Sequence, residues 1–208
     1  MATSTIDRRT LLGAGMALGV MAAAPALAAG RASSPRQEEV FSDPAAPLLG
    51  NPRGSANLVE YFDYQCPYCK KSYPEFMEMV RKDGNIRFIM KDWPIFGAES
   101  YYAAQLSLAA GRNRPKALDA LMRTKGRLTT QMIDTTLTKA GFDIAALKRQ
   151  YARDKQRIDG LITRNGAQAE GFGFNGTPSF VAGTVIFPGV PKMEDVAAAL
   201  AKARAGQR

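Results

Sequence analysis

Histidine is absent from this sequence, cysteine occurs twice and tryptophan once. Without imidazole there is no Ser-His or Cys-His nucleophile pair and no ordinary zinc ligand set, because two sulfurs alone cannot close a four-ligand site. No long run of one charge sign occurs either. The net charge of +9 is spread along helical patterns and is not interleaved with aromatics, so it reads as a solvated surface with no nucleic-acid role. The basic balance leaves room for acidic partners or an anionic membrane surface. With 46% hydrophobic and 23% charged residues over 208 positions, the chain suits one globular domain with a substantial insertion.

The first thirty residues place Arg8 and Arg9 in a polar start, then carry no charge from Thr10 to Gly30 and end in the small residues Ala26-Leu27-Ala28. The apolar part is rich in Ala and Gly and holds Pro25, which makes a weak permanent span and a better cleaved export signal at residues 1–28. Thr5-Ile6-Asp7-Arg8-Arg9-Thr10-Leu11-Leu12 resembles a twin-arginine signal. Export implies a compartment outside the cytoplasm, where disulfides persist. Residues 29–56 are rich in Pro, Gly, Ser and Ala and read as a linker or extended lead-in.

From there the pattern is β-α-β: a strand over Leu58–Tyr64, a helix from about Cys66 to Arg81, a turn at Asp83-Gly84-Asn85, and a strand over Ile86–Met90. Helical patterns follow, at Ala98–Ala110, Pro115–Thr124, Thr129–Ala140 and a long one with Asp143 as N-cap. They predict a satellite bundle over about residues 97–172. Two strands around Gly183 and a closing helix with Met193, Val196 and Leu200 on one face complete a domain over residues 57–208, an α/β sheet interrupted by helices.

The two cysteines stand in Cys66-Pro67-Tyr68-Cys69, where a strand ends and a helix begins. Pro67 suits the first helical turn, since its missing N–H would be unpaired there anyway. Free amides and the positive helix end then face Cys66 and favour its thiolate, the reactive form. Cys69 is spaced to close a small ring with Cys66, so a mixed disulfide on Cys66 is resolved by Cys69. As a structural clip so short a loop restrains little of the unfolded chain, and a metal would need two chains to share it. Redox chemistry is the reading these residues favour, and they predict neither a bound metal nor a cofactor. Glu60 lies in the apolar run Leu58-Val59-Glu60-Tyr61-Phe62, where burying a carboxylate costs on the order of several kcal/mol. It serves a proton role, stays neutral, or snorkels to an edge, with Lys91 after the second strand as a possible partner or a surface lysine. Pro74 should bend the first helix. Pro178, at the start of a strand, is open to either peptide isomer on these grounds alone.

An aromatic strand, then Cys-Pro-Tyr-Cys, then a helical block, then Thr177-Pro178 before a strand resembles the thioredoxin superfamily. In particular it resembles the DsbA-like thiol:disulfide interchange proteins of bacterial envelopes, over about residues 48–205. The resemblance implies a thioredoxin fold, with Cys66 as exposed nucleophile, Cys69 as resolving partner and Pro178 as a cis-proline facing them. It also implies that Thr177, with Pro67 and Tyr68, contacts substrate and tunes the redox poise, and that Glu60 relays the proton of Cys69. It implies a monomeric periplasmic oxidoreductase that forms or exchanges disulfides in unfolded or reduced secreted proteins and is recycled by a membrane redox partner. A reductase or isomerase kept reduced by a membrane donor uses the same residues, although isomerases add a dimerisation domain that residues 30–57 are too few to supply. An envelope binding protein or metal chaperone, and a glutathione transferase on a related scaffold, are further alternatives. Tyr68 stands where the strongest oxidants carry histidine, which argues against extreme oxidising power.

Overall fold

The structure is a computed structural model that describes residues 35–206; the proposed export signal at residues 1–28 lies outside them. Element order is α1 (Gln37–Phe41), β1 (Leu48–Gly50), β2 (Ala56–Phe62), α2 (Pro67–Asp83), β3 (Ile86–Asp92), α3 (Ala98–Ala109), α4 (Arg114–Met122), α5 (Thr130–Lys139), α6 (Ile144–Gly171), β4 (Ser179–Ala182), β5 (Val185–Pro188) and α7 (Met193–Ala205). The strands form one mixed sheet in the order β1-β3-β2-β4-β5, in which only β2 and β3 run parallel. This is a thioredoxin fold with helices α3–α6 between its two halves.

Residues 35–55, expected as an extended lead-in, carry the short helix α1 and the edge strand β1, which pairs antiparallel with β3 through Leu49 and Phe88. Three residues of strand are too few to announce themselves by alternation. The first central strand also ends earlier than its aromatic run suggests. Asp63 turns the chain there by accepting the Gln65 amide on Oδ1 at 2.7 Å, so Tyr64 leaves the ladder and donates to Ser107 Oγ at 2.8 Å.

Alternation along β2 splits its side chains between two layers. Leu58, Glu60 and Phe62 face α2 and α7, while Val59 and Tyr61 face α1, the end of α6 and Phe174. On the α2 side, Phe76 stacks on Phe180 with ring centroids 4.3 Å apart, and Tyr73 and Val80 are buried beside it. Burying each such side chain contributes about 1.5–3 kcal/mol. Pro74 sits inside α2, and Gly84 closes the helix at φ 64°, a left-handed conformation that glycine adopts without a Cβ penalty.

The inserted helices do not form a separate satellite. Leu118, Leu121, Ile133, Leu137, Ile158 and Leu161 belong to the same buried cluster as Phe62, Cys69 and Tyr73. A fully buried ion pair joins the layers: Arg114, at the start of α4, donates to Asp92 at the end of β3 and to the Met90 carbonyl at 3.3 Å.

Candidate active site

Cys66 is the N-cap of α2 and Pro67 its first residue, so the helix begins as the sequence predicts. The backbone amide of Cys69 donates to Cys66 Sγ at 3.3 Å, one of the N-terminal amides with no partner inside the helix. The Cys69 thiol, the Thr177 side chain and the amides of Cys69 and Tyr68 together outweigh burial and bring the Cys66 thiol down to about 6. At neutral pH the thiolate therefore predominates. Cys69 moves the other way: burial, followed by its hydrogen bond to Cys66 and by the charges of Glu60 and Cys66, pushes its thiol well above the ordinary range. Two sulfurs one turn apart thus have opposite proton affinities, and both are present as free thiols.

The peptide bond between Thr177 and Pro178 is cis. The Thr177 carbonyl lies against the motif, where the Cys66 thiol donates to it at 3.1 Å. Cys66 is only 1% exposed, which corrects the expectation of an open nucleophile. Thr177, whose carbonyl accepts from this sulfur, is the residue expected to meet substrate. Thr177 Oγ1 is buried with no hydrogen-bond partner. Tyr68 is 67% exposed, and Pro67 is exposed beside it.

Glu60 lies on the sheet face beneath α2, fully buried, with neither carboxylate oxygen hydrogen-bonded. Burial first, then the charge of Cys66, pushes its carboxyl well above the usual carboxylate range. Lys91 is not its partner. In the β2–β3 register Glu60 pairs with Met90 and Lys91 pairs with Tyr61, so strand alternation sends the lysine to the opposite face. There Lys91 Nζ donates to Gln168 Oε1 at 2.8 Å and Tyr61 donates to the same oxygen at 3.1 Å, in a cluster that touches neither cysteine. Burial lowers the Lys91 ammonium to about 8, opposed by Asp43.

Two residues beside the motif carry structural work that sequence reasoning missed. Asp63 is buried and accepts four hydrogen bonds, from the amides of Gln65, Ile95 and Phe96 and from the Ser100 hydroxyl at 2.6 Å. Gln65 donates to the Phe96 carbonyl at 3.1 Å and accepts from the Leu128 amide at 3.1 Å. The turn at Asp63 is a local Asx pattern that the sequence offers; the contacts to residues 95–100 and 128 are long-range and leave no local trace. Among the described residues no group of three or more His, Cys, Asp or Glu side chains is placed to hold a metal ion.

A low-pKa thiolate at a helix start, a high-pKa thiol one turn behind it and a cis-proline against them, on this sheet, define the thiol:disulfide oxidoreductases. Comparison with known proteins agrees. A family model described as thioredoxin matches residues 42–202. A thioredoxin-like oxidoreductase from Silicibacter pomeroyi is 35% identical, with a TM-score of 0.77 and coverage of 82% of this chain and 99% of that one. A periplasmic thioredoxin-like protein from Salmonella enterica serovar Typhimurium is 28% identical, with a TM-score of 0.69 and coverage of 81% and 95%. The thiol:disulfide interchange protein DsbA of Burkholderia cepacia is 24% identical over 178 residues, covering 82% of this chain and 80% of that protein. A Na(+)/H(+) antiporter, NhaA 1, of Salinispora arenicola is 26% identical over 171 residues, but this chain spans only 26% of its length. The chain belongs to the thioredoxin family and is similar to a DsbA-type thiol:disulfide interchange protein within it.

Proposed function

We propose that this oxidoreductase forms and exchanges disulfides in reduced or unfolded exported proteins through Cys66 and Cys69. The observation that carries the reading is the opposed pair of thiol pKa values, Cys66 lowered to about 6 and Cys69 raised. A stabilised Cys66 thiolate favours the reduced form of the pair, which makes its disulfide the better oxidant.

In the oxidising direction a substrate thiolate attacks Cys66 Sγ of the Cys66–Cys69 disulfide, forms a mixed disulfide and releases Cys69 as thiolate. Because Cys69 has the high proton affinity, it takes up a proton, and Glu60 beneath it is the group we assign to relay that proton. A second substrate thiolate then attacks the substrate sulfur of the mixed disulfide, closes the substrate disulfide and releases Cys66 as thiolate. Two electrons have moved from substrate to the cysteine pair, and a membrane redox partner accepts them to restore the disulfide. Thr177 offers its backbone to the substrate as an added strand, with Pro178, Pro67 and Tyr68 around it. Lys91 has no part in these steps. Run in reverse and kept reduced by a membrane donor, the same residues act as a reductase or isomerase.

We place the protein in the periplasm as a monomer, delivered by a twin-arginine signal over residues 1–28. The reduction potential of the Cys66–Cys69 pair against glutathione tests the direction. A value well above the glutathione couple supports the oxidase, and one well below it supports the reductase.

A further inference from the structure

Two grooves flank the start of α2 on the side of residues 122–127. One, of about 440 Å³, is lined by Gln65, Pro67, Lys70, Phe96, Gly126 and Arg127. The other, of about 500 Å³, shares Pro67, Lys70 and Gly126 with the first and adds Lys71, Arg123 and Lys125. Five cations line this continuous surface, and no carboxylate does. Arg123 is held by Asp119 at 2.8 Å, whereas Lys70, Lys71, Lys125 and Arg127 enter no ion pair among the described residues.

The walls are fixed by the motif itself. Lys70 donates to the Gly126 carbonyl at 3.2 Å, and Gln65, the residue before Cys66, accepts from Leu128 and donates to Phe96. Phe96, 46% exposed, adds an apolar floor. Burial lowers the Lys70 ammonium, against the charges of Asp63, Cys66 and Cys69, so an arriving anion would replace solvation this amine has lost.

We propose that this surface binds an acidic stretch of the polypeptide whose cysteine meets Cys66, so that disulfides flanked by Asp or Glu are the preferred substrates. The proposal rests on the exchange activity above and names its substrate class. Charge complementarity identifies the occupant: uncompensated cations with no acid among them gain most from carboxylates. Position identifies the route, because Pro67 lines both grooves and directly follows Cys66. An extended chain advances about 3.3 Å per residue, so side chains a few positions from the substrate cysteine reach the cations.

The test uses three disulfide-linked peptides of one sequence, with Glu, Gln or Lys flanking the cysteine, and the reduced full-length chain. The Glu peptide is expected to exchange roughly tenfold faster than the Lys peptide at low ionic strength. The ratio should fall toward one near 1 M salt, where the screening length is about 3 Å. It should also fall in a Lys125→Glu, Arg127→Glu double variant, and it should persist in Lys202→Glu, which makes a single charge reversal on α7. Fluorescence anisotropy of the reduced Glu and Lys peptides on a Cys66→Ala variant reads binding without chemistry. Preferential binding of the Glu peptide there, with no exchange by the intact chain, would sustain the acid-binding surface and sink the exchange activity instead. Equal rates and equal binding for the Glu and Lys peptides would overturn the proposal. So would equal rates accompanied by Lys125- and Arg127-dependent binding to phosphatidylglycerol vesicles, which would assign these cations to a membrane surface.

Discussion

The carbonyl of Thr177 and the sulfur of Cys66 lie 3.1 Å apart across 111 residues of sequence, with the thiol donating. The contact closes the reactive sulfur in its protonated form and loses its donor once Cys66 ionises. The Thr177 hydroxyl is buried without a hydrogen-bond partner, so it is free to turn toward the ionised sulfur, whose pKa the Thr177 side chain lowers. Thr177→Val keeps the carbonyl and the shape but removes the hydroxyl. It should move the Cys66 titration up from about 6 toward the ordinary thiol value and slow exchange at pH 6 more than at pH 9, as read by thiolate absorbance and insulin reduction.

The division of labour between the sulfurs makes the two serine variants behave differently. Cys66→Ser should abolish insulin reduction. Cys69→Ser should keep the first attack and accumulate a mixed disulfide, visible as an added mass that dithiothreitol removes. Equal trapping by both variants would contradict the assignment of roles.

Glu60 sets a pH dependence of stability. Its folded pKa is raised above 4.5, so its contribution is fully present below about pH 4.5 and is lost as pH rises toward the folded value. Glu60→Gln cannot lose a proton, so its stability relative to the parent should climb with pH above about 4.5, by up to roughly 1.4 kcal/mol per unit. Urea unfolding of both proteins across that range reads the slope. A difference independent of pH would show that the carboxyl is not held protonated.

Asp63 joins β2 to the segment that carries Phe96 through three hydrogen bonds in a buried setting and accepts a fourth from the Gln65 amide. Asp63→Ala should cost about 3 kcal/mol or more in denaturant unfolding, because the amides of Ile95 and Phe96 lose their acceptor. The same variant should slow exchange, since the surface next to Cys66 is held by these bonds.

The Asp92–Arg114 pair predicts non-additivity. Arg114→Met alone leaves a buried carboxylate and should cost roughly 3–5 kcal/mol, while the double change with Asp92→Leu should recover most of that loss. Additive costs in the double-mutant cycle would contradict a coupled buried pair.

Local sequence carried much of this architecture. The β-α-β order, Cys66 before a proline-started helix, Asp143 as the cap of α6 and the strand at Ser179 all follow from short-range patterns. The cis bond before Pro178 came only with the family resemblance, since a strand-start proline suits either isomer. What failed was what depends on folding in three dimensions. Lys91 follows an apolar strand just as a functional partner of Glu60 would, yet strand parity places the two on opposite faces. The roles of Asp63 and Arg114 leave no local trace, because the partners at Phe96 and Asp92 lie about twenty or more residues away. The contact that meets Cys66 from Thr177 is made by a backbone carbonyl, which no residue type announces.

The most direct measurement is the ultraviolet titration of thiolate in the reduced chain, repeated on Cys66→Ser. The account predicts a transition at a pH of about 6 that the substitution removes, leaving only ionisation at alkaline pH. A first transition at the ordinary thiol value near 9, or one at pH 6 that survives loss of Cys66, would contradict it.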